Sequence, residues 1–135
     1  MLCPACRVDM LVLEFELAEI DYCHKCGGVW LDSGELALLG ARGGAIRTDL
    51  LNALEMEDGE RAGNRRCPVC RKAMLEVSTP PPARITLNRC PRRHGLWFDR
   101  GELQAVILAA GGDADNVLAR FLANLEAQRT RQEAS

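Results

Sequence analysis

The sequence predicts a small metal-stabilised α+β fold: two tandem β-hairpin modules, each followed by short α-helices. Three observations carry it: seven cysteines arranged around C-x2-C pairs, a motif that occurs twice, and a poor aromatic stock. The chain has 135 residues, 47% of them hydrophobic and 27% charged, which excludes disorder throughout. Its aromatic residues are Phe15, Tyr22, Trp30, Trp97, Phe98 and Phe121, against 12 Gly and 6 Pro, too few for one large hydrophobic core. No apolar run reaches the roughly 20 residues of a membrane span, and Met1-Leu2-Cys3-Pro4 does not open a signal peptide. The expectation is a soluble, cytoplasmic protein. Its thiols are then reduced, and so metal ligands rather than disulfides.

Cys3, Cys6, Cys23 and Cys26 read C-x2-C, sixteen residues, C-x2-C, a spacing expected of a tetrahedral zinc site. Cys67 and Cys70 form a third pair. After nineteen residues comes Cys90 without a C-x2-C partner, and His94 follows four positions later. Seven Cys and His94 make eight ligands for two zinc ions.

The repeat justifies the elements in order. Cys3-Pro4-Ala5-Cys6-Arg7 aligns with Cys67-Pro68-Val69-Cys70-Arg71, and Trp30-Leu31-Asp32-Ser33-Gly34-Glu35-Leu36 with Trp97-Phe98-Asp99-Arg100-Gly101-Glu102-Leu103. The second copy is expected to lengthen its last knuckle by one residue, where His replaces the fourth Cys. Leu11, Leu13, Phe15 and Leu17 alternate with Val12, Glu14 and Glu16, the period of a half-buried strand, and a return strand is expected over 19–22. In the second copy the hairpin tip is Ser78-Thr79-Pro80-Pro81-Pro82, and 84–89 alternates with Ile85 and Leu87 inward. Asp32 and Asp99 stand three residues before Glu35 and Glu102, the spacing of a helix-capping box. Gly40 and Gly111-Gly112 are expected as stops. A second amphipathic helix follows in each half, with Ile46, Leu50, Leu51 and Leu54 in one, and Val117, Leu118, Phe121, Leu122 and Leu125 in the other. The expected organisation is a first module over 1–58, a linker over 59–66, a second module over 67–128 and a flexible tail over 129–135.

The string Cys23-His24-Lys25-Cys26-Gly27-Gly28-Val29-Trp30-Leu31-Asp32-Ser33-Gly34-Glu35-Leu36, with Cys-Pro-x-Cys before it, resembles the bacterial zinc ribbons named for their likeness to the finger of transcription factor IIB. The resemblance covers about 3–39 and 67–105 and leaves the trailing helices outside. It implies a ribbon-like or treble-clef zinc fold, four zinc ligands per copy, and a helix starting at Gly-Glu-Leu. Its name suggests transcription. His94 departs from the family's fourth Cys, and Arg7 and Arg71 stand where Gly often follows the first knuckle.

Four protein ligands per metal leave no open position, so no catalysis is expected at the zinc. Trp30 and Trp97 read as packing residues, with base stacking as the alternative; His24 reads as an exposed knuckle residue. Net charge is −2, yet 1–60 carries −8 and 61–135 carries +6. Loading the thiolate sites shifts these to about −10 and +5. The positive charge gathers around the second ribbon. Arg65, Arg66, Arg71, Lys72, Arg84, Arg89, Arg92 and Arg93 are the candidate contacts to nucleic acid or an acidic protein surface. The expected function is a non-catalytic zinc-binding adaptor touching nucleic acid or the transcription machinery. Second comes a protein-protein scaffold or homodimer through the trailing helices, and third a zinc-thiolate redox or chaperone-like protein.

Overall fold

A computed structural model describes residues 1–41, 48–56, 59–81, 84–109 and 116–134. Ile46, Pro82 and Gly111-Gly112, named above, lie outside them, as does 57–58 at the end of the first expected module. The strands are β1 (Leu11–Phe15), β2 (Ala18–Tyr22), β3 (Val29–Asp32), β4 (Glu60–Arg66), β5 (Ala73–Ser78), β6 (Thr86–Arg89) and β7 (Gly95–Phe98). The helices are α1 (Ser33–Ala41), α2 (Thr48–Met56), α3 (Glu102–Ala109) and α4 (Val117–Ala134).

Both expected hairpins form, β1 with β2 and β5 with β6. The periodicity of the first is only partly honoured. Phe15 is buried, but Leu11 and Leu17 are 48% and 68% exposed. What the alternation did not disclose is the third strand of each copy. Val29-Trp30-Leu31 and Leu96-Trp97-Phe98 carry consecutive apolar residues because both faces of β3 and β7 are covered.

These two strands pair antiparallel with each other, Trp30 opposite Trp97 and Leu31 opposite Leu96. The two copies therefore share one seven-stranded sheet, in the order β1-β2-β3-β7-β6-β5-β4, about an approximate twofold axis through the tryptophan pair. Segment 59–66, expected as a linker, contains β4, which adds to the outer edge of β5. Its first-copy counterpart is the single bridge from Leu2 to Asp9, as Arg66 pairs Ala73.

Alternation along the seam divides the interior. Val29, Leu31, Leu96 and Phe98 enter one core with Ile20, Val77, Leu87 and the helices, while Trp30 and Trp97 face the other side. The trailing helices cross over. On α4, from the second copy, Phe121 meets Phe15 of β1 with ring centroids 5.2 Å apart. On the other side, Arg89 of β6 donates from Nη1 to the carbonyls of Leu54 (3.0 Å) and Glu55 (2.9 Å), near the end of α2. Most of the described part of the predicted apolar stripes is thus spent inside the chain, with Leu51, Leu54, Leu118 and Leu122 buried and Val117 left exposed.

Two further expectations are corrected. Helix α1 continues through Gly40 to Ala41. Residues 129–134, expected as a flexible tail, extend α4. Its hold is Arg129, 5% exposed, which grips the Glu126 carboxylate and donates to the carbonyl of Lys25 at 3.3 Å.

Candidate metal centres

Each first knuckle is a tight turn: the N–H of Arg7 donates to Cys3 O at 2.9 Å, and that of Arg71 to Cys67 O at 2.8 Å. The turns require left-handed backbone, and the residues there are arginines, with φ of 60° at Arg7 and 63° at Arg71. In the second knuckle of the first copy Gly27 takes that conformation, φ 80°.

The corresponding knuckle of the second copy is not lengthened. Cys23 bonds to Gly28 and Cys90 to Gly95, five positions on in both cases. Instead the turn tightens, with Arg93 N–H reaching Cys90 O at 2.9 Å where Gly27 N–H reaches Cys23 O. Arg93 now holds the left-handed position, φ 61°, and His94 supplies the ligand atom one place later. The longer imidazole makes the slide workable, its Nδ1 lying 3.3 Å from Cys90 Sγ and 3.8 Å from Cys67 Sγ.

Cys3, Cys6, Cys23 and Cys26 converge, as do Cys67, Cys70, Cys90 and His94, the four donor atoms of each group lying within 4.8 Å of one another. A tetrahedral zinc with Zn–S of about 2.3 Å puts its sulfurs about 3.8 Å apart, and a shorter Zn–N bond brings nitrogen and sulfur to about 3.6 Å. Cys3 and Cys26 sulfurs are 3.7 Å apart, and those of Cys70 and Cys90 are 3.6 Å apart. The soft donor set and these spacings fit two zinc ions.

Backbone dipoles complete the fit. Ala5 and Cys6 N–H groups donate to Cys3 Sγ at 3.3 Å, and Val69 donates likewise to Cys67. Gly28 donates to Cys26 at 3.4 Å, and Arg92 to Cys90 at 3.3 Å. Such bonds favour thiolate. By themselves they cannot ionise a whole cluster: the hydrogen bond from the Cys26 thiol brings Cys3 down to about 5, and the same bond pushes Cys26 up. Burial pushes Cys67 up to about 12. Four ionised donors need the dication among them.

The two centres share a wall. Cys3, Cys23, Cys67 and Cys90 cluster with Met10, Met74, Trp30 and Trp97 on the sheet face opposite the helices. Both indoles are fully buried, which settles them as packing residues. Each lies over a glycine of the other copy: a Cβ at Gly28 would stand 2.3 Å from the Trp97 ring, and one at Gly95 would stand 2.9 Å from Trp30 and 2.3 Å from Leu31 O. The aspartates expected as helix caps hold these rings. Asp32 Oδ1 accepts from Trp30 Nε1 at 2.8 Å, and Asp99 Oδ1 from Trp97 Nε1 at 3.0 Å. Only half of one box forms, Glu102 Oε1 accepting from Asp99 N–H at 2.6 Å, while Glu35 accepts from Glu19 N–H. The repeated Gly-x-Trp spacing was the signal for this lock.

Of the cationic residues singled out, Arg66, Arg71, Lys72, Arg84, Arg92 and Arg93 are exposed. Arg65 is half-buried and bonds to Asp99 at 3.2 Å. Arg89 is buried and spent on α2, so it leaves the contact set. Arg7, which sequence reasoning did not place there, lines a cavity with Arg66 and Arg71. No described helix is long and apolar enough to cross a membrane.

No curated protein and no solved structure matches the chain. The model of a family described as transcription factor zinc-finger, the zinc ribbon of transcription-factor-IIB type, matches 2–42 and again 66–109. With most of its length so matched, once around each cluster, the chain belongs to that family.

Proposed function

We propose that this is a non-catalytic zinc-binding adaptor that contacts nucleic acid, or the machinery that handles it, through its basic second ribbon. The observation that carries this reading is the group of exposed cations Arg66, Arg71, Lys72, Arg84, Arg92 and Arg93, none ion-paired with a described carboxylate. Guanidinium groups exposed without a carboxylate partner suit phosphate oxygens, which their fork meets two at a time. The family's description supports a role in transcription.

The metal centres support a scaffold role. Each has four protein donors, the closed arrangement of structural zinc, whereas catalytic zinc keeps one position for water or substrate. Zinc would supply cross-linking at the two knuckle pairs, and the chain's own residues would present the charge.

The test is equilibrium binding of the zinc-loaded chain to labelled oligonucleotides over a range of salt. Affinity falling with a log-log slope of several units is expected, about 0.9 for each phosphate neutralised on duplex. Absence of binding at low salt would refute the reading in favour of the protein-protein scaffold.

A further inference from the structure

The first knuckles of the two copies stand side by side and enclose a cavity of about 580 Å³, lined in part by Pro4, Arg7, Arg66, Pro68 and Arg71. Asp9 is the one carboxylate among its lining residues. A cleft of this size is in the range of small-ligand sites, about 300–1,000 Å³.

Arg7 and Arg71 occupy the same place in the repeat, immediately after the second cysteine of the knuckle. Both are held in left-handed backbone that glycine adopts freely and branched chains resist. Both are exposed, and neither is ion-paired among the described residues. Among the described residues neither side chain makes a hydrogen bond or ion pair, yet the strained position carries a guanidinium in both copies, lining one shared cavity. Arg66 joins them, its Nη1 bonded to Arg71 O at 3.1 Å.

We infer that this cavity is a phosphate-binding groove, Arg7 and Arg71 gripping a nucleic-acid backbone from the two sides of the approximate twofold axis. The inference rests on the nucleic-acid reading above and names its site. A polymer is favoured over a compact anion because the exposed cations Lys72, next to Arg71 in the chain, and Arg92, two residues after the Cys90 ligand, lie outside the cavity lining and would be left without an anion by a ligand confined to it. Duplex DNA carries one charge per about 1.7 Å and offers phosphates beyond the cavity. Because both indoles are buried, the groove reads backbone rather than stacked bases.

The experiment uses the zinc-loaded full chain, fluorescence anisotropy with single-stranded and duplex oligonucleotides, and the variants Arg7→Gly, Arg71→Gly and, as a charge control on exposed α4 surface, Arg120→Ala. Zinc content and melting temperature are measured on each. Glycine relieves the left-handed backbone, so both glycine variants should melt no lower than the parent. Each should nonetheless bind roughly tenfold more weakly, the loss of a charge-assisted contact. The salt slope should drop by about 0.7 to 0.9.

If the glycine variants bind as Arg120→Ala does, the groove assignment is overturned while nucleic-acid binding stands. If the parent binds no oligonucleotide, both readings fall. If polyglutamate of equal charge displaces the oligonucleotide as well as unlabelled nucleic acid does, the phosphate assignment gives way to an acidic protein partner.

Discussion

The seam between the copies makes a demand on one glycine. In Gly28→Ala the new Cβ would stand 2.3 Å from Cζ2 and Cη2 of Trp97, a ring with no solvent-exposed surface. Ordinary carbon contacts lie at about 3.5–4.0 Å, so the indole must retreat by roughly 1.5 Å within a packed cluster. Overpacking of this kind costs about 1–3 kcal/mol, and a wholly enclosed ring belongs near the upper end. A chain of this length loses about 3–4 °C of Tm per kcal/mol, which gives a fall of roughly 8 °C. The assay is thermal unfolding followed by tryptophan fluorescence at fixed free zinc, since bound metal otherwise moves Tm by mass action. Trp97→Phe shortens the ring and should open space for the alanine, so the double variant should be more stable than the sum of the two by at least about 1 kcal/mol. At Gly95 the nearest obstruction is the Leu31 carbonyl oxygen, 2.3 Å away against 2.9 Å for the Trp30 ring, so Trp30→Phe should leave most of the clash in place. A Gly28→Ala shift below about 2 °C, or additivity of the double variant within about 0.5 kcal/mol, would refute the cross-copy lock.

His94→Ala should reduce tightly held zinc from two equivalents to one while leaving the first cluster loaded, because His94 belongs only to the second donor group; two equivalents retained through a chelator wash would remove it from the ligands. Burial pushes the Glu102 carboxyl up to about 7. The folded state therefore holds a proton that the unfolded chain releases near 4.3, and stability falls as pH rises between those values. Glu102→Gln keeps an acceptor for Asp99 N–H and removes the charge. It should raise Tm at pH 8, by an amount corresponding to about 1 kcal/mol after solvent screening, with the gain shrinking toward pH 6. Equal gains at both pH values would contradict the burial argument.

The cofactor scaffold was legible in the sequence because ligand spacing is a local property. Two residues between cysteines make a knuckle, and a motif written twice announces two of them. The hairpins were legible for the same reason. What periodicity did not disclose depends on contacts far apart in the chain. Val29–Asp32 and Gly95–Phe98 are short and apolar on both faces, and nothing local says that each finds its partner in the other copy. Arg89 and Arg129 read as surface charge because burial of a guanidinium shows only once the carbonyls of Leu54, Glu55 and Lys25 are placed beside it. Asp32 and Asp99 had a sufficient local explanation as caps, and the indole hydrogen bonds two residues back displaced it. The slide of the fourth ligand to His94 was visible as an altered spacing, but Gly95 holding its place shows that the turn changed and its length did not.

All of this depends on two filled coordination spheres standing where a larger oily core would otherwise be needed. Zinc K-edge absorption on the purified chain, combined with elemental analysis, addresses that directly. Two zinc ions per chain are expected, with an average shell close to seven sulfurs and one nitrogen shared between them, as the donor groups Cys3, Cys6, Cys23, Cys26 and Cys67, Cys70, Cys90, His94 dictate. Fewer than two metals, or a shell dominated by oxygen and nitrogen, would contradict it.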